Sequence, residues 1–211
     1  MNVQEQTPQF LLIVREWLRP GSEDAYENNE LQLATVCARL NCPHPYLALA
    51  STSEPAEIWW LNAFASQEER DGLDAAYARN EPLMDEMRPL GKRKEDFRAA
   101  FTSTMTSYRR DLSRDSVLRI AGARFLVIDT QQDKAGEGAV FEAPDGQRFL
   151  IASARTRADA EDLAARLRPG AMILAVQPQW SYPAVAWVEA DRLFWQTSPG
   201  AHLHEAARGS P

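Results

Sequence analysis

Lysine is scarce in this chain. Only Lys92, Lys94 and Lys134 occur, and 23 basic residues face 30 acidic ones, for a formal net charge of −7. An acidic surface repels phosphate backbones, and no basic cluster interleaved with aromatics offsets it, so nucleic acid is not an expected partner. The densest basic stretch, Arg88 to Arg98, is interrupted by Glu95 and Asp96 and reads as a solvated helix surface. The preference for arginine over lysine points to a bacterial genome rich in G and C. Cysteine is limited to Cys37 and Cys42, whose spacing fits neither zinc nor thioredoxin-like sites, so both read as structural. Histidine is limited to His44, in a proline-bracketed loop, and His202 and His204 in the tail; without further ligands these imply no metal. Phosphate-binding glycine loops, a Gly-x-Ser-x-Gly elbow and a dinucleotide fingerprint are all missing, so no cofactor is expected. The longest aliphatic run, Leu11 to Val14, is far too short to span a bilayer, and the opening MNVQEQTPQF lacks the basic-then-apolar pattern of a secretory signal. No membrane association and a cytoplasmic location are the expectations.

What is present is an ordinary globular composition, 45% hydrophobic and 25% charged over 211 residues. A chain of this size buries roughly 70% of its surface on folding, enough for a core without covalent staples. Phe10 to Leu18 is apolar on both faces for most of its length and reads as a central strand. Pro20-Gly21-Ser22 breaks it, with Ser22 as the expected N-cap of an acidic-ended helix running to about Leu40. Asn41-Cys42-Pro43-His44-Pro45 stops that helix. Tyr46 to Ser51 and Glu57 to Ala65 form an expected antiparallel hairpin. Ser66 to Glu69 has capping-box spacing and starts a second helix, which pauses near Asn80 and continues in pieces through Pro89 and Gly91 to about Ala100. Thr102 to Arg110, rich in Thr and Tyr, reads as a fourth strand.

The texture changes after Leu112. Ala123 to Asp129, Ala139 to Glu142 and Arg148 to Ser153 are expected strands, the last two joined at Pro144-Asp145-Gly146. Thr156 caps a helix ended by Pro169-Gly170, and Met172 to Val176, Ala184 to Val188 and Leu193 to Gln196 read as short strands. Gln131 to Gly138 and the tail from Ser198 are the expected mobile stretches. The fold class is therefore α+β: a ferredoxin-like β-α-β-β-α-β antiparallel module over 1–113, followed over 114–211 by a smaller, mostly β module with one helix.

That element order over residues 10 to 110, with a strand running into Pro20-Gly21, an acidic first helical turn and Tyr26, resembles the dimeric α+β barrel superfamily, in particular its antibiotic-biosynthesis-monooxygenase-like and NIPSNAP-like groups. The resemblance implies a barrel closed from two four-stranded sheets, supplied by two subunits or by two tandem repeats. It also implies a ligand pocket between sheet and helices, and in some members cofactor-independent oxygenase chemistry. It carries no catalytic residue over. The second module is a candidate diverged repeat, although it shows one helix where a full repeat needs two.

Asn62 stands among Ile58, Trp60 and Phe64 on one face of its strand, and a buried amide must find a partner in the protein or in a ligand. Arg15, between Ile13 and Trp17, either pairs with a carboxylate or holds an anionic ligand group. Arg15 and Asn62 are thus the candidate catalytic residues. Trp17, Trp59, Trp60, Tyr46 and Tyr108 are candidates to stack a small aromatic ligand, or to fill a core or a subunit interface. Two functions follow. One is a cofactor-free, monooxygenase-like enzyme with Arg15 and Asn62 around a closed pocket for an aromatic or anionic molecule. The other is a non-catalytic homodimer or partner-binding protein with its tryptophan-bearing sheet face buried against another subunit.

Overall fold

The computed structural model describes residues 7–54, 56–113, 118–130, 137–167 and 170–202. Most of the expected mobile stretch Gln131 to Gly138, and His204 with the end of the tail, lie outside these residues. The first part runs β1 (Phe10–Leu18), α1 (Glu23–Arg39), β2 (Leu47–Ser51), β3 (Glu57–Phe64), α2 (Gln67–Ala78), α3 (Glu81–Phe97) and β4 (Arg98–Tyr108). The second runs β5 (Phe125–Asp129), β6 (Ala139–Glu142), β7 (Arg148–Ala154), α4 (Arg157–Leu167), β8 (Met172–Val176), α5 (Val185–Ala190), α6 (Arg192–Trp195) and a 3₁₀ turn, Pro199–His202.

The helix punctuation follows the sequence with two exceptions. Ser66 accepts from the Glu69 amide at 3.2 Å while the Glu69 carboxylate accepts from the Ala65 amide at 2.7 Å, and Asn80 caps α3 through the Leu83 amide. Ser22, however, does not cap α1. Its hydroxyl donates to the carbonyls of Arg19 at 2.6 Å and Phe97 at 2.8 Å and ties the start of α1 to the end of α3. The second exception is α3, one helix with Pro89 and Gly91 inside it rather than separate pieces. Pro89 lies on the exposed side, so the carbonyl it leaves unpaired faces water, while Leu83 and Leu90 are buried against Leu33 and Val36 of α1.

All eight strands close into one antiparallel barrel in the order β1-β3-β2-β8-β5-β7-β6-β4. Each half contributes four neighbours in the same internal order, β4-β1-β3-β2 and β8-β5-β7-β6, and the halves meet at β2–β8 and β4–β6. The two joints differ in extent. Leu49 to Ser51 pair with Leu174 to Val176, whereas the eleven-residue β4 meets β6 only at Ser107–Glu142 and Tyr108–Phe141.

Strand alternation separates two cores. Leu11 and Ile13 of β1, Trp59 and Leu61 of β3, Leu126 and Ile128 of β5, and Phe149 and Ile151 of β7 point inward and fill the lumen. An eight-stranded barrel is just wide enough for side chains to fill, and this one is filled. The opposite faces of β1 and β3 carry Val14, Ile58 and Trp60, which pack under α1 with Tyr26. Val127 and Ala154 do the same under α4.

The end of the second part departs from expectation. Ala184 to Val188 and Leu193 to Gln196 are not strands: Val185–Ala190 and Arg192–Trp195 are helices, so the described residues of this part hold three α-helices rather than one. The β-forming residues there answer to packing instead of propensity. Trp187 and Trp195 stack at 6.0 Å and, with Val188, join the lumen core, while Asp191 caps α6 through the Phe194 amide and pairs with Arg124 at 3.0 Å. These helices close the barrel at the end where β5 begins.

Candidate functional site

At the other end of the barrel β1 carries Arg15 on its inner face, in register with Trp59 of β3 and Thr102 of β4. The guanidinium donates from Nε to Glu57 Oε1 at 2.8 Å and reaches the same oxygen from its terminal nitrogen at 2.7 Å. Trp59 Nε1 adds a third donor to that oxygen at 2.8 Å. The Arg15 cation also lies 4.8 Å from the Trp17 ring and 4.4 Å from the Trp59 ring. Arg15 is thus consumed by an internal ion pair and two aromatic faces. Glu57, which the sequence reading passed over, shares the inward parity of Trp59 and Leu61; that parity was its one visible signal.

Asn62 lies on the opposite face of the sheet, in register with Leu12. Its amide nitrogen sits 3.4 Å from His44 Nδ1 and 3.4 Å from the Pro45 carbonyl. His44 in turn contacts Glu69 at 3.3 Å, and burial pushes its imidazole below the usual histidine range although the Glu69 carboxylate opposes the shift. Tyr46 packs on Trp60 at 5.8 Å and Tyr182 at 6.3 Å, on the same outer side. Tyr108, six residues along β4 from Thr102 and so roughly 20 Å distant at strand rise, packs on Phe141 at 5.6 Å. The candidates therefore fall into three places: Arg15 with Trp17 and Trp59 inside the barrel mouth, Asn62 with Tyr46 and Trp60 outside the sheet, and Tyr108 toward the other end.

A second charged cluster, unseen in the sequence, lies between the sheet and α1 and α3. Glu16, 2% exposed, accepts from the Tyr26 hydroxyl, from Trp60 Nε1 at 3.1 Å and from Arg98 at 2.9 Å, and pairs with Lys94 at 3.0 Å. Lys94 also pairs with the buried Glu30 at 3.1 Å and sits 4.4 Å from the Trp60 ring. Lys94 and Arg98 are therefore not the solvated helix surface expected of this stretch. The two buried carboxylates draw them inward. Burial pushes the Glu16 carboxyl up, but Lys94 and the Tyr26 and Trp60 hydrogen bonds prevail and hold it below the usual range. Burial also pushes Glu30 up, and there Lys94 does not offset it. Every charge in this cluster has a partner, and its chemistry is that of a clamp holding α1 and α3 to β1. On the outer side of the same two helices runs an open groove of about 660 Å³ lined by Asn28, Gln32, Thr35, Glu86, Pro89 and Arg93.

No family model and no curated protein matches this chain. Among solved structures it is similar to a candidate monooxygenase from Fusobacterium nucleatum, at 7% identity and a TM-score of 0.48 over 82% of this chain and 94% of that one. A candidate chlorite dismutase aligns at 11% identity and 0.47, over 89% of this chain and 100% of that one. A candidate monooxygenase from Lactobacillus acidophilus aligns at 8% and 0.41, over 81% and 94%. Likeness this distant carries no activity across, and the architecture rests on the strand order of the chain itself.

Proposed function

We propose that this chain is a non-catalytic assembly protein: a single-chain counterpart of the dimeric α+β barrel, made of two diverged halves, that pairs with a second copy of itself along β4. The repeated strand order supports the two-half reading, with the chain passing from one half to the other between β4 and β5. The observation that carries the assembly reading is the free edge of β4. Among the described residues, Arg98 to Thr106 pair with β1 on one side and with no strand on the other, and 99–103 are exposed. Phe101 stands 54% exposed on this edge. The run Ala99 to Ser107 holds no charge, proline or glycine, and its one irregularity is the bulge at Ala99, so from Ala100 onward it lacks the devices that keep natural edge strands apart.

The occupant that fits is the same strand from another copy. Antiparallel pairing about Ser103 sets Phe101 opposite Met105 of the second chain and Thr102 opposite Thr104, a sulfur–aromatic pair and a hydroxyl pair, with Arg98 outside the paired segment. The aromatic face that first suggested a dimer is not free for one: Trp59 lies in the lumen, and Trp60 is covered by the chain's own helices. Monooxygenase-like chemistry at Arg15 and Asn62 would need both to reach one small aromatic or anionic substrate, and they occupy opposite faces of the sheet with internal partners.

Sedimentation velocity at micromolar concentration tests the proposal. The expected result is a homodimer that Phe101→Lys converts to a monomer with an unchanged circular dichroism spectrum. A monomeric parent chain, or a dimer indifferent to Phe101→Lys, would overturn it.

A further inference from the structure

We infer that Cys37 and Cys42 form an oxidisable dithiol, a modification site at the C-terminal end of α1 that a hydroperoxide converts to an intrachain disulfide. The argument begins with the backbone. Helix α1 ends at Arg39 with Leu40 as its cap, Asn41 adopts the left-handed conformation at φ +54°, and the Cys42 amide donates to the Cys37 carbonyl at 2.9 Å. This is the six-to-one hydrogen bond of a Schellman motif, a turn that brings the side chains at its first and last positions into contact. An apolar pair frequently occupies those positions of the motif. Here both are cysteines.

The side chains follow the backbone. Both cysteines are free thiols, buried with Cys37 0% and Cys42 6% exposed, at the two positions that the turn brings together. Cys37 Sγ also contacts Met87 Sδ at 4.0 Å, and Cys42 Sγ lies 3.1 Å from the Tyr77 hydroxyl and 3.6 Å from the His44 carbonyl. The pair is asymmetric. The neighbouring Cys37 draws the Cys42 thiol down to about 7, helped by the Tyr77 hydroxyl and the His44 backbone against burial, while Cys42 and burial push Cys37 up. One thiol is therefore the nucleophile and the other the resolving group.

The chemistry balances with a hydroperoxide as the oxidant. The Cys42 thiolate attacks the terminal peroxide oxygen, the O–O bond breaks, and an alcohol or water departs with a sulfenic acid left on Cys42. Cys37 sulfur then attacks the Cys42 sulfur, the S–O bond breaks, and the released hydroxide takes the Cys37 proton to form water. Two thiols lose two electrons and two protons overall, and the peroxide gains them. The product bond would pin the end of α1 to the Cys42–Pro45 loop, whose Pro45 carbonyl and His44 ring hold Asn62.

The test uses the intact native chain. Arg39 lies between the two cysteines, and Pro20 blocks cleavage after Arg19, so trypsin places them in separate peptides, Glu16–Arg39 and Leu40–Arg70. After hydrogen peroxide treatment, denaturation and alkylation, the expected result is loss of both alkylatable thiols and appearance of these two peptides covalently joined, reversed by dithiothreitol. Cys37→Ser should leave a Cys42 sulfenic acid that dimedone traps; if that variant does not fold, Cys37→Ala serves. Two thiols still fully alkylated after peroxide, a sulfinic Cys42 with no linked peptide in the parent chain, or a bond only between separate chains would each overturn the inference.

Discussion

Arg15 shows how a charge inside a barrel becomes structural. Its guanidinium and the Glu57 carboxylate meet at the mouth, 19% and 8% exposed, with two indole rings sheltering the cation. Removing one partner of such a pair leaves the other buried and unpaired, a far larger cost than the net value of the pair itself. Arg15→Ala should therefore destabilise the fold by about 3 kcal/mol in urea unfolding, and Arg15→Met with Glu57→Met by much less than the sum of the single changes. Equal, additive losses would contradict the pairing. The Glu16 cluster makes a pH prediction. Because the Glu16 carboxyl sits below its ordinary value of 4.5, its contribution is present above that pH and is lost as pH falls through the depressed value. Glu30 runs the other way: its raised value makes its contribution complete below 4.5 and lost as pH rises through the raised value. Glu16→Gln should lower stability at neutral pH and flatten the acid limb of the stability profile below the ordinary carboxyl value of 4.5, measured by denaturant midpoints.

Among the elements, α3 carries a cost that the fold tolerates. Pro89 removes one helical hydrogen bond from the middle of a seventeen-residue helix whose hold on α1 comes from Leu83 and Leu90. Pro89→Ala should raise stability by about 1 to 3 kcal/mol, seen as a higher thermal midpoint, since the exposed site makes no packing demand on the ring. Element by element, the sequence was most legible where an apolar run was bounded by proline or a cap was undisturbed: the first strand, the hairpin after Pro45 and the Ser66 capping box all fall where the residues place them. Trp187, Val188 and Trp195 were misread because valine and tryptophan favour strands locally, while the barrel end they close is assembled from distant segments. Asp191, an N-cap ahead of Leu193 and Phe194, was the readable sign of a helix there. The site was legible by residue and not by geometry. Arg15 and Asn62 were both marked as needing partners, but their placement on opposite faces depends on a β1–β3 register set across a helix and another strand. Glu57 lies 42 residues from Arg15, and no local pattern joins them.

The whole molecule encloses within one chain a barrel whose two halves repeat the same strand order. That closure explains why the tryptophans do not call for a partner: Trp59 is packed in the shared lumen and Trp60 lies under the helices. It also isolates a place where the strand repeat is unequal. β8 and β2 are five residues each and pair over three, while β4 has eleven and overruns β6 by nine. Among the described residues, the overrun leaves backbone donors and acceptors facing outward beside an exposed phenylalanine, the circumstance in which strands pair between molecules. The most direct measurement places a cysteine at Ser103 in a chain carrying Cys37→Ala and Cys42→Ala and treats it with a short bismaleimide. Pairing of β4 with itself predicts efficient cross-linking to a covalent dimer, abolished by Phe101→Lys; a chain that stays monomeric after treatment, while a cysteine at exposed Gly72 behaves no differently, would contradict it.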